Sequence, residues 1–257
     1  MGVTEAIILG MTALLAGGIN AVAGGGSLVT FPALLLFNIP PLTANATATV
    51  AAWPGLLSGA WHYRGHLRPY WRPVLALSAV ALLGGLAGGT LLLAIPSQAV
   101  AHAVPWLMGL GCLMLVLSPQ IQKAGRMARE WRPDSIGSVL GWRSAVQFAV
   151  GIATGFFSAA GGVLLVASLS SFGLRDMQLM NALKIVLGMA MVTASVGAFI
   201  AAGQIAWAQA GIMMGGAMIG GHLGAALAQR LPASALRVAV IIFCVAVTAV
   251  VALRQSA

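Results

Sequence analysis

Lys184 is the residue on which chemistry would turn. It sits about two turns into an apolar run over about 177–202, the only acidic or basic side chain well inside such a run. An ionisable group in a membrane segment is a functional-site hypothesis by default. The plainer alternative is a lysine snorkelling to the interface on its four-carbon stem. Asn181 lies three residues earlier, on the same helix face. Asn45 and Thr47 stand near the start of another apolar run, where an Asn can equally cap its helix or bond to a neighbouring one. Two glycine clusters complete the set: Gly24-Gly25-Gly26-Ser27, and Ala160-Gly161-Gly162-Val163. Each helix-interior glycine costs about 1 kcal/mol against Ala, so both clusters predict breaks. A break exposes backbone N–H groups and starts a new helix, and both attract anions. One cation, two amides and free N–H groups suggest an anionic substrate, with Gly25, Gly26, Ser27, Asn45, Thr47, Gly161, Gly162, Asn181 and Lys184 as candidate site residues; the plainer readings are close helix packing for the glycines and a bond to its own backbone for Thr47.

The acids point the same way. Glu5, Glu130, Asp134 and Asp176 are all terminal or in loops. A carboxylate proton relay or a carboxylate-bound sodium is therefore not expected. His222 reads as a second buried titratable group, either an interior hydrogen-bonded histidine or a proton carrier. His62, His66, His102 and His222 share no ligand spacing, so no metal or cofactor is implied. Cys112 and Cys244 read as small packing residues. A membrane-embedded enzyme would need a buried nucleophile, acid or metal cluster. Ser58-Gly59, with Leu56 two residues before the serine, lacks the Gly-x-Ser-Gly pattern of intramembrane serine proteases. A passive anion channel would need a continuous polar pore, and the apolar runs offer too few polar residues to line one.

The elements that must position these residues follow from composition. The 257 residues are 60% hydrophobic and 7% charged, against about 25% charged in a soluble domain. Residues 73–118 and 185–229 contain no Asp, Glu, Lys or Arg, and each run is long enough for two crossings of about 20 residues. This predicts an all-α polytopic membrane protein; a membrane β-barrel would show short alternating segments instead. The net charge of +9 comes from basic residues in short loops, the positive-inside pattern, so the partner is a lipid bilayer and not nucleic acid. With Glu5 and no basic stretch before it, the first apolar segment is expected to be retained.

In chain order the expected segments are a helix over 3–23, the first break, and a short apolar piece from Leu28 to Asn38. A helix from Thr43 to Trp61 follows, kinked at Pro54-Gly55, then a basic and aromatic loop over 62–72 and helices over 73–94 and 100–118. A hydrophilic linker, 119–138, separates a first unit, 1–118, from a second, 139–257.

The second unit repeats the first at a constant offset of 136. Gly25 and Gly26 match Gly161 and Gly162, Asn45-Ala46 matches Asn181-Ala182, and Pro96 matches Pro232. Gly84, Gly85 and Gly88 match Gly220, Gly221 and Gly224, two clusters that read as close helix packing. If each broken segment is a re-entrant hairpin, the repeats are inverted, with eleven basic loop residues inside and one, Arg254, outside. Parallel repeats would leave nine inside and three outside, so the charge rule favours inversion.

These residues together resemble the TauE/SafE family of membrane permeases. The likeness runs over nearly the whole chain: Gly24-Gly25-Gly26-Ser27-Leu28, Phe31-Pro32-Ala33-Leu34, Asn45-Ala46-Thr47, Trp53-Pro54-Gly55 and Ser58-Gly59-Ala60-Trp61 in the first half. Gly155-Phe156-Phe157, Asn181-Ala182-Leu183-Lys184 and Gly220-Gly221-His222-Leu223-Gly224 carry it in the second. The resemblance implies a multi-pass permease of the bacterial cytoplasmic membrane. It implies sulfite, sulfoacetate and other sulfonates, or thiosulfate, as the substrate class, with the site at the paired glycine and asparagine motifs. Relatives often carry Asn where this chain has Ala48 and Thr where it has Ile185.

Overall fold

The computed structural model of the protein describes residues 2–22, 24–125 and 130–227, all helix, turn or coil with no strand among them. The elements are α1 (Val3–Val22), α2 (Ser27–Leu36), α3 (Pro41–Leu67), α4 (Trp71–Ala94), α5 (Ser97–Gly125) and α6 (Ile136–Val139). They continue with α7 (Trp142–Phe156), α8 (Gly161–Ser171), α9 (Met177–Ala201) and α10 (Trp207–Leu227). Val3–Ala21, Pro41–Ala94, Ser97–Ile121 and Met177–Ala201 are long and apolar enough to cross a membrane. The chain is therefore an all-α polytopic membrane protein, since a helix satisfies its own backbone where no water can. With 10 and 11 residues, α2 and α8 are half-length pieces, at 1.5 Å per residue about half the hydrocarbon thickness. Cys244, Pro232, Arg126, Arg129, Arg230, Arg237 and Arg254 lie outside the described residues.

Three expectations change. The basic stretch 62–72 is helical: α3 runs on to Leu67, and a 3-10 turn over Arg68–Tyr70 leads into α4. Basic and aromatic residues mark where a chain meets headgroups, not where its helix stops. Arg64 donates to Trp61 O at 2.7 Å with its guanidinium 4.3 Å from the Trp61 ring, both compatible with a helix. The first strong stop signal after Pro54 is Pro69. The hydrophilic linker is shorter than expected, because α5 continues to Gly125 and α6 begins at Ile136.

The two glycine clusters also differ in use. Gly24 and Gly25 take φ of +75° and +92°, the left-handed region, and end α1. In the second half the break lies earlier, at Phe157, whose extended backbone (φ −140°) ends α7 before a 3-10 turn over Ser158–Ala160. Gly161 and Gly162 are the first residues of α8, so they serve close approach and not the break itself.

Helices pair across the two halves. α1 packs on α10 and α7 packs on α4, while α3 and α9 meet in the middle. Missing side chains allow this: a Cβ on Gly220 would collide with Leu14 O, one on Gly224 with Gly18, one on Gly84 with Phe148 O, and one on Gly88 with Ile152 O. Such small-residue seams are how helices associate in lipid, where no hydrophobic force pulls them together. The α1–α10 seam carries a bond from Gln209 Nε2 to Glu5 Oε1 at 3.1 Å.

Candidate functional site: a lysine where two broken helices meet

The breaks touch. A Cβ on Gly162 would lie 2.8 Å from Gly24 Cα, so the turn between α1 and α2 is in backbone contact with the start of α8. Ser27, the first residue of α2, and Gly161 and Gly162, the first two of α8, line one cavity, so both positive helix ends lie at its wall. A small cavity of about 40 Å³ opens beside that contact, several times the roughly 10–15 Å³ one water needs. Lys184, Ser27, Thr49, Thr154, Ser158 and Asn20 supply its polar wall, and Gly24, Gly161 and Gly162 its backbone wall. A second cavity of about 30 Å³ shares Asn20, Ser27, Ala52, Leu56 and Ile185 with it and is otherwise lined mainly by Gly and Ala.

Lys184 is 4% exposed, so it does not snorkel away from the protein. Its Nζ donates to the carbonyls of Asn20 and Ala21, at 3.4 Å each, in the last turn of α1. An ammonium has three N–H donors, and two long bonds to carbonyls leave one uncommitted. Among the described residues Lys184 is the one formal charge on the cavity wall, and none of the four acids lines it.

Asn45 performs the corresponding act on the other break. It is 3% exposed, and its Nδ2 donates to Phe156 O at 3.2 Å, the last residue of α7. Phe156 and Asn20 stand 136 residues apart. α3 therefore reaches the carbonyl end of α7 with an amide, and α9 reaches the carbonyl end of α1 with an ammonium. Asn45 Oδ1 has no hydrogen-bond partner among the described residues.

Other residues singled out by sequence fall at different distances from the cavity. Ser27 lines both cavities, and Gly26 N–H donates to Asn20 Oδ1 at 3.0 Å. Gly25 lies against Leu28, Ala159 and Val163. Thr47 is fully buried, but its Oγ1 accepts from the N–H of Ala206, the residue just before α10, at 3.1 Å. Asn181 is half-buried and lines neither cavity. His222 is not buried: it is exposed on an open groove between α3 and α10, beside Trp61 and Arg64. Gly216, Gly220 and Gly224 turn towards α1 and Gly221 towards α3, which leaves His222 on the outer face.

Asn20, Thr154 and Ser158 carry no sequence signal of their own. Thr49 Oγ1 bonds Asn45 O at 2.6 Å and Ser158 Oγ at 3.0 Å, which places it on the cavity wall.

Comparison with known proteins agrees with this architecture. A "Probable membrane transporter protein" of Haemophilus influenzae is 27% identical over 250 residues, covering 97% of this chain and 95% of the relative. The "Probable membrane transporter protein YfcA" of Escherichia coli K12 is 28% identical over 233 residues, 86% of this chain and 79% of its own. A "Probable membrane transporter protein" of Xylella fastidiosa is 28% identical over 241 residues, 89% and 86% of the two chains. No solved structure matches significantly. The model of one family, described as "Sulfite exporter TauE/SafE", matches residues 9–251. With nearly its whole length matched, and with two broken helices meeting at a buried lysine, the chain belongs to the TauE/SafE family of membrane transporters.

Proposed function

We propose that the protein is a permease of the bacterial cytoplasmic membrane for a small sulfur-containing anion: sulfite, sulfoacetate or a related organosulfonate, or thiosulfate. The observation that carries this reading is the single buried ammonium of Lys184 on a cavity walled by hydroxyls and by the N-terminal ends of two half-helices. That arrangement offers charge and N–H and O–H donors to an oxyanion, without a carboxylate to repel it. Gly25, Gly26, Ser27, Asn45, Gly161, Gly162 and Lys184 belong to the site or to its immediate frame; Thr47 and Asn181 position the helices that carry it. The crosswise contacts of Asn45 and Lys184 support a duplicated chain, and the distribution of basic residues supports inverted repeats.

The test is a thermal-shift screen of the purified protein with sulfite, sulfoacetate, taurine, thiosulfate and sulfate. Uptake or release of the best binder in proteoliposomes follows, with mass analysis of the solute. At least one sulfur anion is expected to stabilise the protein and to cross unchanged. Stabilisation by none of them, or by halide as strongly as by any, would sink the sulfur-anion reading. A chemically altered solute would mark an enzyme.

A further inference from the structure

The end of α1 is built as a cation seat. Gly24 turns into the left-handed region, and its N–H donates to Ile19 O at 3.2 Å. The carbonyls of Asn20 and Ala21 face Lys184 Nζ instead, at 3.4 Å each. The C-terminal end of a helix carries about half a negative charge. In transporters with broken helices, unwound carbonyls and half-helix C-termini are the groups that hold a coupling cation. Here the group resting on them is an ammonium covalently attached to α9. At the matching carbonyl of the second break, Phe156 O receives the neutral amide of Asn45. One break is thus served by a cation and the other is not, which matches a single anion in a single cavity.

We propose that Lys184 is a tethered cation. Its ammonium occupies, on the carbonyls of Asn20 and Ala21, the place where an exchangeable monovalent cation would otherwise bind, so that the protein holds its anion without sodium. The proposal rests on the anion-site reading for the part about the anion; the cation seat itself does not. It also accounts for the long 3.4 Å bonds. A charge that balances both the helix end and an incoming anion must not be committed wholly to either.

The experiment empties the seat and refills it from solution. Melting temperatures of purified wild type and Lys184→Ala are compared in choline, sodium and n-propylammonium chloride at constant ionic strength, with no sulfur anion present. Wild type is expected to melt at one temperature in all three. Lys184→Ala is expected to melt lower in choline and to recover by a few degrees, saturably, in sodium or n-propylammonium, the latter being an amine of nearly the deleted length. A wild type stabilised by sodium overturns the proposal, because its seat would then be free. So does a Lys184→Ala protein indifferent to all three cations. Should the alanine variant not survive purification, the wild-type arm decides alone, indifference to sodium supporting the proposal and stabilisation overturning it. Because the cation arms contain no oxyanion, their failure leaves the sulfur-anion reading standing, and failure of the anion screen leaves the cation seat standing.

Discussion

The ammonium nitrogen of Lys184 lies 3.4 Å from the carbonyl oxygen of Asn20, a contact between α9 and the end of α1 that spans 164 residues of sequence. Replacing Lys184 by Met should keep the packing, since the two side chains are close in length and Met suits a helix. The bound anion would lose its one formal counter-charge. A charge-assisted hydrogen bond contributes about 1.5–3 kcal/mol, so affinity should fall roughly 10- to 100-fold. Lys184→Arg should fall between, because a planar fork replaces a point charge. Ligand-induced thermal shift on the three proteins reads this out, and an unchanged affinity in Lys184→Met would remove Lys184 from the site.

Thr47 and Thr49 stand two residues apart and should respond in opposite ways. Thr47→Val leaves the Ala206 N–H without its acceptor, an expected loss of about 1–3 kcal/mol in stability. Its anion affinity should stay at the wild-type value. Thr49→Val removes a hydroxyl from the cavity wall, and affinity should drop by about 2- to 10-fold for one neutral hydrogen bond. Melting temperature and anion titration on both variants separate the roles; a loss of affinity in Thr47→Val alone would invert the assignment.

Gly162→Ala places a methyl 2.8 Å from Gly24 Cα, backbone that cannot swing aside. Overpacking of this kind costs about 1–3 kcal/mol. Gly211→Ala, on open space in α10, should be neutral or gain up to about 1 kcal/mol from helix propensity. Denaturation in detergent compares them. Equal stability of the two variants would mean the broken helices are not in contact.

His222 sits on the outer groove and not on the cavity. His222→Asn should therefore keep full transport and the whole of its pH dependence. A flattened pH profile in proteoliposome flux would make His222 a proton carrier after all.

Two apolar helices, α4 and α5, lie between Tyr70 and Gln122; if each crosses the membrane once, Tyr70 and Gln122 should share the cytoplasmic side and Ser97 the opposite one. In a background without Cys112 and Cys244, a membrane-impermeant thiol reagent added to intact cells should label Ser97→Cys and spare Gln122→Cys. The reverse pattern would turn the protein over.

Much of this was legible because the membrane strips a sequence down to few signals. A lone charge in an apolar helix, Lys184, stood out, and so did Gly24-Gly25, where propensity alone forbids a stiff helix. The rest of the cavity was not legible. Thr154 bonds Val150 O within its own helix, as hydroxyls in apolar helices ordinarily do, and only the approach of α3 and α9 turns that face into a wall. Asn20 stands in an apolar run with Phe156 at the offset of 136, so no paired motif marks it. His222 misled because the sequence gives the polarity of a side chain and not the direction it faces on a helix surrounded by apolar residues.

The pairing of α1 with α10 has a consequence for how the protein is made. Glu5 and Gln209 lie 204 residues apart, and at roughly 5–20 residues per second of synthesis the ribosome needs on the order of 10–40 s to deliver the second after the first. For that interval the glycine seam of α1 faces lipid or an insertion factor, with its partner not yet translated. Among the described residues, α1 and α4 take their main partners, α10 and α7, from beyond residue 135, so the segments before and after it produced as separate polypeptides would reach this arrangement only by finding each other in the bilayer.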